Sequence, residues 1–549
     1  MRTGGELIVD CLKAQGVDRI FCVPGESYLA VLDGLHESGI EIVNARHEGG
    51  AAIMAEADGK ITGRPGIAMV TRGPGATNAA AGVHIAKQDS TPMILFVGQI
   101  GREMRGREAF QEVDYRQTFC DLAKWVEEID DADRIPEIVN HAYHIAMSGR
   151  PGPVVLALPE DMLRDKLPAR SIPYVEAVEP APSQRDMERF EVLLNQSANP
   201  FLVLGGSRWT SDAVEHVHRF AERFALPVGC SFRRQHLFDA HHPNYAGDVG
   251  LGINPMLKER IAGSDLVILL GCRFSENPSQ NFSLLGFPDP GKPLVHIHPG
   301  AEELGRIYTP TLALNATPGT FLEACETLSG GRTSEAPKEA HQDYLSWTNS
   351  IPIPESPGFA STGAIMAHLR DRMDDHTIIA NGAGNYAIWL HRFWRYREFG
   401  TQLAPTSGSM GYGLPAAITG QLRHPERRVI CLAGDGCFQM TGQEFATAVQ
   451  AGTPIVVIVI DNTLYGTIRM HQERDYPTRV TATEIQNPDF AALARAYGGH
   501  GETVTADAAF PEALNRALAA DVPAIVHVKT DPDILSPNAT ISGLREKSV

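Results

Sequence analysis

The 549-residue chain has no apolar run approaching 18 residues, which excludes a membrane-spanning helix. Its amino terminus, MRTGGELIVDCLKAQG, carries no signal-peptide pattern and reads as the start of a helix. It also lacks a basic stripe. With 48 Lys and Arg against 66 Asp and Glu, the net charge is −18 and the two signs are interspersed, so neither nucleic acid nor an anionic membrane is expected as a partner. Cysteine is sparse: Cys11, Cys22, Cys120, Cys230, Cys272, Cys325, Cys431 and Cys437 are scattered, mostly in apolar segments, with no CxxC or Cys/His metal spacing. They read as reduced core thiols, and a cytoplasmic protein is expected. No helical array or low-complexity repeat is present. A GxGxxG followed by a ribose-binding acid is missing too, which counts against a nicotinamide dehydrogenase.

What is present is an alternation of helix and strand signals at a length suited to about three or four domains. Leu7 to Ala14 reads as a helix, Arg19 to Val23 as a strand, Tyr28 to Leu35 as a helix and Glu41 to Val43 as a strand. Proline-rich linkers fall at Arg164 to Asp186 and Ser329 to Gly358. The expected fold is α/β, in three domains over residues 1–165, 187–328 and 358–530, each a mostly parallel sheet flanked by helices.

The most informative stretch is Arg427 to Asn462. Val429 to Ala433 is an apolar run that breaks at Gly434-Asp435-Gly436, and Pro454 to Ile460 is a second, β-branched run ending at Asp461-Asn462. Between them Thr441-Gly442-Gln443-Glu444 reads as a capping box opening a helix to about Gln450. Asp435 and Asn462 therefore project at the carboxyl edge of one sheet, where such sheets bind ligands. A carboxylate and an amide oxygen suit Mg²⁺, and backbone N–H groups near Gly436 and Cys437 suit phosphates. The expected ligand is a magnesium diphosphate.

Gly-Asp-Gly followed by residues 437–461 and then Asn462 resembles the thiamin diphosphate signature. The resemblance implies Asp435, Asn462 and the Leu464 carbonyl as metal ligands, with Gly434, Gly436, Cys437 and Gly466 around the cofactor. NARHEGGAA resembles the family's first-domain segment, and Glu48 would be the glutamate that hydrogen-bonds the cofactor's pyrimidine. The first domain would thus bind the pyrimidine, the third the diphosphate, with a Rossmann-like domain between them. TRGPGATNAAAGVHIAKQDSTPMILFVGQI is similar to the first domain of acetolactate synthases, with Arg72 where serine is common. Glu108 to Glu112 matches their AFQE segment, implying Phe110 and Gln111 near the reacting carbons. Asn381 to Tyr386 resembles the family's GxGxH loop, with Tyr386 at the histidine position and Gly384, Asn385 and Tyr386 beside the diphosphate. Ser407 to Gly413 matches another cofactor loop, in which Met410 bends the cofactor and the Gly408 carbonyl accepts from its amino group.

The likeness spans essentially the whole chain. It implies decarboxylation of a small 2-oxo acid and carboligation to a carbonyl acceptor, in a homodimer or homotetramer with sites at the subunit interface. The alternative is a 2-oxo acid decarboxylase or other thiamin-dependent C–C lyase with a non-pyruvate substrate; a non-catalytic scaffold ranks below both. Arg273-Phe274-Ser275-Glu276-Asn277 and His298 depart from the flavin-holding pattern of acetolactate synthases, so FAD is doubtful and a structural spacer is favoured. Glu160, Asn277 and His471 replace residues that set acceptor choice there, removing positive charge. Glu26 reads equally as a substrate contact or as a helix-start carboxylate, and His471 as part of a substrate lid or of a solvated charged segment.

Overall fold

The computed structural model describes residues 1–170 and 172–546. Three six-stranded sheets organise them, and every strand pair within each is parallel. The first runs Glu41–Asn44, Arg19–Cys22, Gly66–Val70, Met93–Gln99, Pro153–Pro159, Trp125–Glu128 in spatial order. The second runs Tyr245–Val249, Val228–Ser231, Pro200–Leu204, Leu266–Leu270, Leu294–His298, Leu312–Asn315. The third runs Gln402–Leu403, Ile378–Asn381, Val429–Gly434, Val456–Asp461, Ala524–Lys529, His500–Val504. Central strands such as Val456–Asp461 are buried along their whole length, as continuous apolar runs covered on both faces by helices must be. The fold is the expected α/β one.

Two compact units emerge, and they do not follow chain order. One comprises Met1–Val178, Pro405–Glu426 and Thr441–Pro454; the other comprises Glu179–Ala404, Arg427–Met440 and Ile455–Val549. The first unit holds the first sheet. Its helices Glu48–Thr62 and Pro74–Asp89 pack through small residues, and a Cβ on Gly82 would lie 2.4 Å from the Ala52 Cβ. A buried polar cluster ties the later segments to them: Lys60 Nζ meets Asp89 at 2.6 Å and Glu56 at 3.1 Å. The Tyr412 hydroxyl donates to Glu56 at 2.7 Å, and Thr406 donates to Asp89 through both N–H and hydroxyl at 2.8 Å.

The second unit carries the other two sheets. After strand Pro200–Leu204, a Cβ on Gly206 would fall 1.8 Å from the Gly271 carbonyl oxygen. These glycines thus serve a close approach of two strand ends. On the edge strand Tyr245–Val249, Asp248 keeps some exposure as a residue, yet its Oδ1 is closed off without a hydrogen-bond partner.

One local expectation is corrected. Thr441 does not cap a helix: its hydroxyl donates to the Gly411 carbonyl at 2.6 Å, and residues Gly442–Glu444 form a 3₁₀ turn before helix Phe445–Gln450. Glu444 reaches instead to the Arg46 N–H, at 3.2 and 3.1 Å from its two oxygens. Tertiary partners outcompeted the local box. Among the described residues no helix is long and apolar enough to cross a membrane.

Candidate active site

In the third sheet Gly434 pairs with Ile460, so Asp435 and the Asp461-Asn462 pair leave adjacent strands at one carboxyl edge. Asp435 is 3% exposed. Its Oδ1 accepts the Gly436 N–H at 2.8 Å and its Oδ2 accepts Asn487 Nδ2 at 2.7 Å. The same amide nitrogen donates to Asp461 Oδ1 at 2.7 Å. Asp461 Oδ2 lies 2.7 Å from His527 Nε2 and accepts Lys529 Nζ at 2.6 Å.

The two carboxyls differ sharply in their partners. Burial pushes Asp435 up to about 7, against the hydrogen bonds from Gly436 and Asn487. Burial also opposes ionisation of Asp461, but His527, Lys529 and Asn487 together outweigh it and hold that group far below the usual carboxylate range. Lys529 sits on Asp461, not on Asp435. Asp435 is thus a buried carboxyl short of a cation, and a divalent ion beside it would favour its charged form. Among the described residues no three histidine, cysteine or carboxylate side chains converge as a metal cage. Mg²⁺ held by one carboxylate, one amide oxygen and one backbone carbonyl needs none.

The neighbouring loops are braced tightly. Asn462 Oδ1 accepts the Leu464 N–H at 3.2 Å, and a Cβ on Gly466 would lie 3.3 Å from Asn462 Nδ2. Asn385 Oδ1 accepts the Thr467 hydroxyl at 2.9 Å. The buried Tyr386 hydroxyl accepts the Gly382 N–H at 3.0 Å and lies 3.3 Å from Cys437 Sγ. A Cβ on Gly384 or Gly434 would come within 3.0 or 2.9 Å of the Tyr386 ring. That ring therefore fixes both loops at once. His471 lies on the exposed face of helix Gly466–Asp475, 2.8 Å from Arg474.

The first unit gathers a second group at the carboxyl edge of its own sheet. Glu48 opens helix Glu48–Thr62, with Oε2 accepting Asn78 Nδ2 at 3.0 Å; a Cβ on Gly75 would stand 3.1 Å from its Oε1. Gln111, at φ 66°, crowds Gly73, where a Cβ would meet the Gln111 Cβ at 2.8 Å. Phe110 beside it is 76% exposed. Arg72, in the same loop, is buried; its Nη1 donates to Glu160 at 2.9 Å and its Nη2 to Glu26 at 3.3 Å. Gly408, at φ 67°, and Met410 belong to this unit, on the segment that Thr406 and Tyr412 anchor.

Asn487, His527 and Lys529 were invisible from spacing, because only the sheet order aligns Lys529 with Asp461. Asn78, within the recognised TRGPGATN segment, carried its signal in plain sight as an amide one helical turn from Gly75.

Family models match along the chain in order. The N-terminal thiamine pyrophosphate binding domain covers residues 2–118, the central domain 187–325 and the C-terminal binding domain 382–528. Curated relatives match almost end to end. The "acetolactate synthase isozyme 2 large subunit" of Escherichia coli is 28% identical, covering 99% of both chains. The "acetolactate synthase large subunit" of Parasynechococcus marenigrum is 30% identical over 96% of this chain and 87% of its own, and the "acetolactate synthase" of Bacillus subtilis is 28% identical over 96% and 93%. With all three domains matched in order and the relatives aligned over nearly their full length, the chain belongs to the thiamine pyrophosphate enzymes and is an acetolactate synthase-like member of that family.

Proposed function

We propose that the chain, with thiamin diphosphate and Mg²⁺, decarboxylates a small 2-oxo acid and joins the remaining fragment to a carbonyl acceptor. The observation that carries this reading is the buried, cation-short Asp435 beside Asn462 at one sheet edge. Asp435, Asn462 and the Leu464 carbonyl would hold the metal, and Gly384, Asn385, Gly434, Gly436, Cys437 and Gly466 would line the diphosphate. Tyr386 supports that pocket from behind, its hydroxyl being committed to Gly382 and Cys437. Bound there, the cofactor supplies a nucleophilic carbon and an electron sink.

The chain's own residues do the rest. Glu48, oriented by Asn78, holds a proton at its carboxyl for exchange with the pyrimidine ring. Gly408 and Met410 shape the cofactor, while Phe110 and Gln111 face the reacting carbons. The names of the relatives favour ligation over simple protonation of the fragment. We further infer a homodimer or homotetramer in which Glu48 of one copy serves the cofactor held by another.

Product analysis with Mg²⁺, thiamin diphosphate and pyruvate tests the reaction, with Glu48→Gln as control. Acetolactate, lost in the control by about 10²-fold or more, is the expected outcome. Acetaldehyde with carbon dioxide would redirect the reading to a decarboxylase. Pyruvate left untouched while the cofactor binds would remove it as the donor.

A further inference from the structure

The structure leaves a charge imbalance beside Glu48. Strand Arg19–Cys22 leads to Glu26, strand Gly66–Val70 to Arg72 and strand Pro153–Pro159 to Glu160, all at the same carboxyl edge of the first sheet. One guanidinium meets two carboxylates there. Arg72 is 8% exposed and its Nε is buried without a partner, so its position is set by the other two nitrogens. The 2.9 Å contact with Glu160 is the closer and more sheltered pair, the side chains being 9% and 27% exposed. Glu26 is held at 3.3 Å and its side chain is 73% exposed.

Glu160 neutralises Arg72, so Glu26 leaves the cluster with one net negative charge facing outward. Arg72 directly precedes the Gly73-Pro74-Gly75 turn, which touches both Glu48 and Gln111. The charge therefore stands at the reacting edge. A substrate carboxylate placed here would face that excess, whereas an ammonium or guanidinium group would complete it with charge-assisted hydrogen bonds.

We propose that Glu26, propped by the Arg72–Glu160 pair, selects a substrate with a cationic side group, a 2-oxo acid or aldehyde bearing an ammonium or guanidinium. This inference rests on the thiamin reading above and narrows its substrate class.

The test offers the holoenzyme three 2-oxo acids of matched length, each alone and with pyruvate: one ending in guanidinium, one in a methyl group and one in carboxylate. Consumption is followed for wild type and Glu26→Gln. The expected result is a kcat/KM about tenfold higher for the guanidino compound than for the alkyl one, carried mainly by KM and reduced by added salt. Glu26→Gln should bring that ratio close to one. Calorimetric binding of the same compounds to the Glu48→Gln holoprotein gives the ratio without turnover. Turnover of any of these acids with no preference for the cation, or a preference that survives Glu26→Gln, overturns the inference and leaves the thiamin reading standing. A protein that neither binds the cofactor nor consumes any of the acids overturns both.

Discussion

Asn487 donates one amide nitrogen to both Asp435 and Asp461, and its removal would set two carboxylates facing each other without a shared donor. Asn487→Ala should weaken binding of thiamin diphosphate with Mg²⁺ by about 10- to 100-fold, the usual cost of losing an outer-shell partner; isothermal titration reads this directly, and an unchanged affinity would remove Asn487 from the site. Asp248 gives a pH signature instead. Burial lifts its carboxyl to about 8, with Arg233 pulling the other way. A carboxyl raised in the fold favours the folded state while it keeps its proton. Its contribution is full below about pH 4 and is lost as pH climbs toward 8. Asp248→Asn should therefore gain about 1–3 kcal/mol over wild type at pH 8 and little at pH 4, measured by urea midpoints at the two pH values. The placement of Asp435, Asn462 and Glu48 at sheet edges was legible because each follows a strand end in a short, recognisable string. The partners that tune them were not, since Asn487, His527 and Lys529 reach Asp461 only through the spatial order of the strands.

At the level of elements, strands were the easiest to read: the β-branched run Pro454 to Ile460 forms the strand Val456–Asp461. The Thr441 box misled, because a threonine buried beside Gly411 finds a better acceptor than its own turn offers. The polar carboxy-terminal segment Asp531 to Val549 reads from sequence either as a cover over the site or as disordered; its described part folds as two short strands, Ile534–Ser536 and Ala539–Thr540, and helix Ile541–Glu546. Leu535 and Ile541 pack against Leu464, so this tail buttresses the loop after Asn462. Arg545 anchors it by donating to both oxygens of Glu473, at 2.9 and 2.7 Å. The Arg545 guanidinium, helped by Arg469, holds the Glu473 carboxyl down at about 2 against the effect of burial. A depressed value stabilises above the ordinary carboxylate range and is lost as pH falls through about 2. Arg545→Ala should raise hydrogen exchange in Ile541–Glu546 by about tenfold at pH 7 and increase the KM for thiamin diphosphate. Equal exchange in variant and wild type would show that apolar packing alone holds the tail.

At the level of the whole molecule, the proposed sharing of sites between copies has a numerical signature. Glu48→Gln and Asp435→Asn are each expected to be inactive alone. Mixed and allowed to exchange subunits, they should recover about a quarter of wild-type activity, because half of the random dimers carry one site with both residues intact. No recovery, with exchange verified by mass spectrometry, would place each site within a single chain. The order of segments within the units bears on synthesis as well. The first unit needs Thr441–Pro454, yet its opening piece ends at Val178. On the ribosome that piece must wait for Pro405–Glu426 while Glu179–Ala404 is made, roughly 11 to 45 seconds at about 5–20 residues per second. For that interval helix Glu48–Thr62 has no Tyr412 or Thr419 to meet, and the nascent chain leaves the side that carries Glu56 open to whatever chaperone reaches it first.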